Sequence, residues 1–250
     1  MTTSKHKVSD LRSKLAEELF PKFSVVIPCF NESDGLPELV AKCDLVASIG
    51  NGEFIFVNNG STDNSGEVLA KLLLNNKRLR YITVSVNQGY GYGITSGLKE
   101  AKASIVGWTH SDLQCEPGDV LRAIEAFTDH APHLFVKGKR YGRPMVDRIF
   151  TAGMSIFETV IMGKILMDIN AQPTLFDRVL MEQWSEPPKD FSLDLFAFAQ
   201  AKKNNFKIFR IPVIFAPRRY GQSNWNFSMK SKWKFIKRTL KFSFQLRAGR

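Results

Sequence analysis

Residues 54–65, FIFVNNGSTDNS, change from four apolar residues to eight that are polar or glycine. Aromatic and β-branched residues favour a strand, and the turn-forming residues that follow favour a loop. Beyond the loop, apolar residues recur at the spacing of one helical face: Val68, Leu69, Leu72 and Leu73. The stretch therefore predicts a buried strand, a polar loop and an amphipathic helix, in that order.

The same order of elements recurs before and after this stretch. The other strands predicted in this way cover residues 23–27, 81–84 and 103–109, each followed by a helical pattern. Four strand and helix alternations predict an α/β, Rossmann-like fold with a mostly parallel sheet and helices on both faces. Beyond Phe135 the pattern loosens. The elements expected there are a long helix (144–163), a polar segment (168–177), a helix (193–203) and a strand (206–215).

The positive charge of the chain is concentrated at its C-terminal end. The chain has 250 residues, of which 44% are hydrophobic, and a formal net charge of +11. Residues 226–250 contain eight lysines and arginines and no acidic residue, so they carry +8 of that charge. A nucleic-acid-binding protein more often spreads basic residues over a reading face. The distribution argues against nucleic acid as a partner and marks a basic tail.

The cysteines and the apolar stretches indicate the cellular compartment in which the protein is expected. Cys29, Cys43 and Cys115 are too far apart for a disulfide framework or a paired zinc site, which favours a reducing cytoplasm. Residues 1–22 are polar and mixed in charge, unlike a signal peptide. The most apolar later stretch, residues 149–167, is interrupted by charged side chains, so no transmembrane helix is predicted.

Three polar clusters follow predicted strands: CFNES, NNGSTD and HSDLQ. In parallel sheets, ligands bind beyond the carboxyl ends of the strands, where these clusters are expected to meet. Asp112 and Gln114 supply oxygen ligands of the kind that Mg²⁺ or Mn²⁺ takes beside phosphate oxygens, and His110 suits Mn²⁺. Taken separately, each cluster is also explained as a capped turn, and His110 as a structural histidine. Their clustering favours a ligand site.

The segment NQGYGYG suggests a dinucleotide-binding loop, but its glycines do not fit that pattern. In the G-x-G-x-x-G register the third glycine falls on Ile94 or Ser96. The segment also follows the third predicted strand, whereas the fingerprint belongs to the first. A glycine-rich turn that allows a ligand to approach, or tight helix packing, explains the segment better.

These motifs, in this order, resemble those of family 2 glycosyltransferases with the GT-A fold. The resemblance rests on SVVIPCFNE (24–32), FIFVNNGSTDNS (54–65), NQGYGYGITSGLKEA (87–101) and HSDLQ (110–114). It extends through GKRY (138–141) and RRYGQS (218–223), and within the family the pattern is similar to dolichyl or polyprenyl-phosphate sugar synthases. The resemblance implies an inverting transfer from a nucleoside-diphosphate sugar, without a covalent enzyme nucleophile.

The resemblance also implies the domain limits and the donor site. Residues 1–22 are an N-terminal extension, residues 23–130 bind the nucleotide sugar, residues 131–225 supply the acceptor half, and residues 226–250 are the basic amphipathic tail. The implied donor-binding residues are Pro28, Phe30, Asn31, Glu32, Asn59, Ser61, Asp63, Gly89, Tyr90, Ser111 and Asp112.

At two positions this sequence differs from the family pattern, and at both of them the family usually has an acidic residue. Asn59 stands where the family usually has the second acid of an Asp-Asp-Gly-Ser loop, so the base preference is open. His110 replaces the first carboxylate of the Asp-x-Asp metal motif. Metal binding is then expected through Asp112, with Gln114 and His110 as further candidate ligands. A cation held there would stabilise the negative charge that develops on the two phosphates of the donor as they leave.

The acceptor decides which further residues take part. A lipid monophosphate is already anionic and needs positioning by Arg140, Arg148, Arg218 and Ser223. A saccharide hydroxyl, as in surface polysaccharide synthesis, needs a general base, and the resemblance points to Asp194. Asp194 also fits a first helical turn, where its charge complements the helix dipole. The expected catalytic residues are Asp112, Asp194 and Arg218. A third hypothesis, prompted by His110 and Asn59, is a nucleotide-sugar-binding protein that has lost catalysis.

The basic tail is predicted to be an amphipathic helix. Its apolar residues are Met229, Trp233, Ile236 and Leu240, flanked by Phe235 and Phe242, with lysines between them. The pattern suits a helix at an anionic membrane surface, which would place the protein peripherally at the inner face of the cytoplasmic membrane. It equally suits a helix docked on the body of the protein, including one that supports a homodimer.

Overall fold

The protein is built around one seven-stranded sheet. The computed structural model describes residues 22–128, 133–142, 145–163, 165–221 and 229–247. The strands are β1 (Phe23–Cys29), β2 (Gly52–Asn59), β3 (Leu79–Val84), β4 (Ile105–Trp108), β5 (Leu134–Tyr141), β6 (Thr174–Asp177) and β7 (Lys207–Ile214). The helices in the described part are α1 (Leu36–Ile49), α2 (Ser65–Leu72), α3 (Tyr90–Glu100), α4 (Asp119–Thr128), α5 (Met145–Met162), α6 (Val179–Glu182), α7 (Ser192–Lys203) and α8 (Met229–Arg247).

The strand order confirms the predicted fold class. The order is β3-β2-β1-β4-β6-β5-β7, in which β1 pairs in parallel with β2 and β4, and β2 with β3. β6 runs antiparallel to both of its neighbours, β4 and β5. The sheet is therefore mostly parallel, as the alternation of strands and helices predicts. It is continuous through both predicted halves of the chain.

Side chains on the two faces of the sheet pack against different helices. Val25 and Val26 are neighbours on β1 and belong to two separate apolar clusters, because successive side chains of a strand point to opposite faces. The Val25 cluster includes buried residues of α1 and α4, and the Val26 cluster includes those of α3 and α7. Helices thus cover both faces, as expected.

The segment 168–177, expected to be a polar segment, contains the strand β6. Its sequence, TLFD, is only four residues long, and three of the four are buried. Gly107 of β4 lies opposite Leu175 of β6, and a Cβ added at Gly107 would come within 2.0 Å of the Thr174 carbonyl oxygen. Glycine at this position lets the two strands approach each other.

The tail forms the helix α8, which packs on the body of the protein. Phe242 and Leu246 contact the cluster formed with α3 and α7, and the buried Ser243 hydroxyl donates to Glu158 of α5 at 2.7 Å. Arg238 pairs with Asp190 at 2.9 Å. The docked arrangement therefore occurs, and membrane contact stays a prediction. Among the described helices, none is long and apolar enough to cross a membrane.

We expect Gly107→Ala to lower the free energy of unfolding by about 1–3 kcal/mol, because the added methyl group has to displace the backbone of β6. Urea unfolding followed by circular dichroism measures the change. The matched control is Gly118→Ala, since a Cβ there meets nothing within 4 Å. Equal stability of the two variants would contradict the packing argument.

Candidate functional site

The predicted ligand-binding loops meet at the carboxyl edge of the sheet. In the parallel register Pro28 lies opposite Val57 and Cys29 opposite Asn58, so β1 and β2 end side by side. The backbone of Thr109, just past β4, donates to the Val26 carbonyl of β1 at 3.0 Å. The loops that follow these three strands therefore leave the sheet next to one another.

Asn31 joins the first two of these loops. Its Oδ1 accepts hydrogen bonds from the backbone N–H groups of Thr62, at 2.8 Å, and Asp63, at 3.4 Å. Its own backbone N–H donates to the Ser61 hydroxyl at 3.1 Å. Asn31 has a φ of 56°, in the left-handed region that asparagine tolerates better than most residues. Asn31, Ser61 and Asp63, three predicted donor-binding residues, are thus brought together.

A second set of hydrogen bonds connects the same two loops. The Glu32 N–H donates to the Ser65 hydroxyl at 3.0 Å, and the Ser33 N–H donates to the Asp63 carboxylate at 3.3 Å. Asp63 also accepts from the N–H of Ser65, the first residue of α2, at 3.0 Å. The orientation of Glu32 is therefore fixed relative to the second loop.

Asn59 is buried at the end of β2, beside the glycine-rich segment. Its amide nitrogen donates to the Gly89 carbonyl at 3.1 Å. A carboxylate cannot donate this bond, and it would face the carbonyl oxygen of Gly89 directly. Asn59 Oδ1 is buried without a hydrogen-bond partner among the described residues. The local structure thus explains asparagine at this position, and contact with the donor base stays a prediction.

Arg218 lies between two carboxylates of the candidate site. Its guanidinium donates to Glu32, and a second nitrogen lies 3.9 Å from Asp112 Oδ2. Burial raises the pKa of Glu32, the Arg218 pairing partly offsets this, and the negative charge of Asp112 raises the pKa further. Ser111 is buried, and its hydroxyl acts to lower the pKa of Glu32. Glu32, Ser111, Asp112 and Arg218 therefore form one cluster.

The candidate metal ligands follow β4. Asp112 Oδ1 accepts from the backbone N–H of Gln114 at 3.1 Å, and the Gln114 side-chain amide donates to the Ala216 carbonyl at 3.1 Å. In the described ranges, no three His, Cys, Asp or Glu side chains are grouped as a metal site. One carboxylate still fits the way Mg²⁺ commonly binds beside substrate phosphates and water. Asp112, with its partly exposed carboxylate, fits that role.

His110 lies at the end of a row of aromatic rings. Its ring centroid is 5.8 Å from that of Tyr90, and Tyr90 stacks on Phe191 at 4.6 Å with 15° between the ring planes. Arg238 of α8 lies over the far ring, 5.9 Å from the Phe191 centroid. Burial, followed by the nearby negative charge of Asp194, raises the pKa of the Tyr90 hydroxyl. His110 and Tyr90 are thus positioned by residues that come late in the chain.

Two of the four candidate acceptor residues lie near the ends of strands, Arg140 in β5 and Arg218 shortly after β7. Arg140 Nε donates to Asp168 Oδ1 at 2.7 Å, and the Arg140 backbone N–H donates to the other carboxylate oxygen at 2.8 Å. The Arg140 guanidinium also lies 5.4 Å from the Phe215 ring centroid. The side chain of Arg148, on α5, and the whole of Ser223 lie outside the described residues.

Asp194, the candidate general base, is buried in the first turn of α7. Its Oδ1 lies 3.4 Å from the Nζ of Lys137, a residue that the sequence reasoning did not single out. Both side chains are essentially inaccessible, with exposures of 1% and 0%. The role of Asp194 as a base stays a prediction, and in this structure its partner is a buried lysine.

A sequence signal for burial of Asp194 did exist. The helix SLDLFAFA is apolar nearly all round, and such a helix is typical of the protein interior. A carboxylate within it is expected to be buried and therefore paired. Nothing in the sequence identified Lys137 as the partner.

We expect Asn31→Ala to lower the free energy of unfolding by about 2–4 kcal/mol, because it removes the hydrogen bonds to residues 62 and 63 and places alanine in the left-handed region. Asn31→Gly is the control, since glycine adopts this φ without strain and loses only the hydrogen bonds. Urea denaturation should rank the variants as wild type, Gly, then Ala. Unchanged stability of the alanine variant would refute the bridging role of Asn31.

The sequence matches a described family and several curated proteins. The family model described as Glycosyl transferase family 2 matches residues 24–179. Over 109 residues the chain is 36% identical to the undecaprenyl-phosphate 4-deoxy-4-formamido-L-arabinose transferase of Edwardsiella ictaluri. This aligned segment is 41% of the chain and 33% of that protein. A Bacillus subtilis protein named as an uncharacterized glycosyltransferase is 32% identical over 124 residues, 48% of the chain and 38% of that protein. The matches span about a third of these relatives' length.

Solved structures share the fold. Glucosyl-3-phosphoglycerate synthase from Mycobacterium tuberculosis, in complex with uridine diphosphate (UDP), superposes with a TM-score of 0.72 at 16% identity. The match covers 92% of this chain and 80% of the synthase. Its complex with Mn²⁺, UDP and glucosyl-3-phosphoglycerate gives a TM-score of 0.71 at 16% identity, over the same shares of the two chains. At this identity the likeness concerns the fold, and it agrees with the predicted GT-A architecture.

Proposed function

This chain belongs to glycosyl transferase family 2, and we propose that it transfers a sugar from a nucleoside-diphosphate sugar to a polyprenyl phosphate, with inversion at the anomeric carbon. The observation that best supports the proposal is the gathering of Glu32, Ser111, Asp112 and Arg218 at the carboxyl edge of the sheet. In α/β sheets this edge is where nucleotides bind.

We assign the donor to the loops that Asn31 connects. The nucleoside lies against residues 28–32 and 59–63, and the diphosphate reaches Asp112. Asp112 would hold Mg²⁺ or Mn²⁺, with His110 and Gln114 beside it, and a bound cation would neutralise charge on the departing diphosphate. Arg218 is paired with Glu32 and lies close to Asp112, and these contacts support a role for it in pairing with donor or acceptor phosphate.

The proposed acceptor is anionic. The Edwardsiella ictaluri relative is named for undecaprenyl phosphate, and the Mycobacterium tuberculosis synthase was solved with a phosphorylated product. A phosphate acceptor is already charged, so it needs cationic side chains more than a base. Arg140, Arg148 and Arg218, with Ser223, are the candidates for that role.

Two other functions are less well supported. Transfer to a saccharide hydroxyl needs a base within hydrogen-bond reach of the acceptor, and the burial of Asp194 argues against it in that role. A binding protein without activity was suggested by His110 and Asn59. The bond from Asn59 to the Gly89 carbonyl gives that asparagine a structural reason that does not involve loss of catalysis.

We further propose that the protein associates peripherally with an anionic membrane, at the inner face of the cytoplasmic membrane. Apolar side chains of α5 and the segment after it are strongly exposed, as is one on α8. They are Ile156 (61%), Val160 (71%), Ile165 (70%), Met167 (50%) and Phe244 (58%). The exposed Lys241 on α8 adds positive charge to the same pair of packed helices. Apolar groups combined with lysines suit an anionic lipid surface.

A thermal-shift screen of nucleoside diphosphates, with and without Mn²⁺, tests the donor site. A ligand present at 100 times its Kd stabilises the protein by about 2.7 kcal/mol. We expect Asp112→Asn to abolish the Mn²⁺-dependent part of the shift and the transfer activity. Glu125→Gln is the control, since this carboxylate is exposed on α4 and is not a member of the cluster. If no nucleoside diphosphate produces a shift, the proposed donor site is wrong.

Co-sedimentation with liposomes tests the membrane proposal. We expect the double variant Ile156→Ser, Val160→Ser to bind vesicles rich in phosphatidylglycerol about tenfold more weakly than wild type, because it removes apolar groups that would be buried in the lipid. Leu74→Ser is the matched control, being 75% exposed just beyond α2. Equal binding by all three proteins would exclude this face as the contact.

A further inference from the structure

The pair of Lys137 and Asp194 lies in the interior, and nothing in the proposed transfer explains it. Lys137 lies in the middle of β5. Its Nζ also donates a hydrogen bond to the Thr174 hydroxyl at 2.8 Å. A buried ion pair requires the dehydration of two charges and is weak evidence for stability, since apolar residues of similar volume often do as well. The arrangement therefore suggests a role in orienting its neighbours.

Asp194 Oδ1 collects donors from three separate parts of the fold. Besides Lys137, it accepts from the Gln172 amide at 2.8 Å and faces the Trp108 indole N–H at 3.3 Å. These residues come from β5, from the segment before β6 and from the end of β4. Donors directed at a carboxylate stabilise its charged form and fix its orientation. One carboxylate thus connects β4, β5 and the segment before β6.

The partners of Asp194 lead directly to candidate donor-binding residues. Trp108 is the last residue of β4, and the chain continues from it into the loop that carries His110 and Asp112. The Gln172 amide also lies 3.4 Å from the Tyr90 hydroxyl, and Tyr90 adjoins His110 in the aromatic row. The Asp194 carboxylate therefore contacts the last residue of β4 directly, and it contacts Tyr90, the ring beside His110, through Gln172.

We propose that Lys137 and Asp194 are positioning residues, whose buried ion pair orients the segment from Trp108 to Asp112 for sugar transfer. This inference rests on the proposed function. It assigns to Asp194 a task different from that of a general base: with Lys137, Gln172 and Trp108 around one oxygen, the carboxylate is directed inward.

The inference carries a pH dependence of definite sign. Burial lowers the pKa of Lys137 to about 8. The negative charges of Asp194 and Asp168 act to raise this pKa, and the positive charge of Arg210 acts to lower it. Among the described residues, the charged groups with the largest effect on this pKa come from α7, from β7 and from the segment before β6. As the pH rises through about 8, Lys137 loses its proton and Asp194 loses its counter-charge. The orientation of Trp108 should then change, and turnover should decline.

The first experiment needs no substrate. In ¹⁵N-labelled full-length protein, the Trp108 indole resonance, assigned by Trp108→Phe, should titrate near pH 8. The titration should disappear in Lys137→Met and persist in Lys139→Met, a lysine two residues further along β5 with an exposed side chain. An indole resonance that is insensitive to both pH and Lys137→Met would overturn the ion-pair proposal, whether or not the protein binds a nucleotide.

The second experiment separates positioning from general-base catalysis. The donor is a sugar ester of the nucleoside diphosphate that gives the largest thermal shift, UDP-glucose being the first probe. With it, Lys137→Met should lower kcat about 10- to 100-fold with little change in donor KM. The double variant Lys137→Met, Asp194→Asn, which removes both charges, should recover kcat to within about fivefold of wild type, since neither buried charge is left unpaired. A double variant that folds and binds UDP with Mn²⁺, yet has lost turnover, would show that Asp194 is the base.

Discussion

The parallel pairing of β1 with β2 on one side and β4 on the other is the constraint on which the candidate site depends. Parallel strands all point their carboxyl ends to one edge, so the loops that follow them meet there whatever their separation in sequence. Asn31 can bridge to residues 62 and 63 only because the register of β1 and β2 ends both strands at the same level. The sheet supplies the proximity, and the hydrogen bonds between loops supply the orientation.

Local periodicity made the first half of the fold predictable, since each strand and helix there carries its own pattern. β6 was missed because it is short and its antiparallel pairings with β4 and β5 join segments distant in sequence. Lys137 was missed for a related reason. A lysine in a strand usually indicates an exposed position, and its partner Asp194 lies 57 residues further along the chain. The sequence was sufficient to infer the donor loops, but it did not reveal the pairing of Lys137 with Asp194.

The two departures from the family pattern act in the same electrostatic direction. Asn59 and His110 each replace an acid, so the edge of the sheet carries less negative charge than the family pattern implies. Arg218 further offsets Glu32 and Asp112. A less negative edge repels a diphosphate less, and it also attracts a divalent cation less strongly. The affinity for the proposed cation should therefore depend more on the phosphates of the donor than on the protein.

The contacts of α8 matter for anyone choosing where to end a shortened version of the protein. Arg238 pairs with Asp190 and lies over Phe191, which stacks on Tyr90, and Tyr90 adjoins His110. A boundary drawn after the motifs of the candidate site, ahead of residue 229, would look harmless in the sequence alone. It would nonetheless remove the support behind the aromatic row and uncover the apolar surface that Phe242 and Leu246 protect. The helix α8 is packed into the same body as the candidate site.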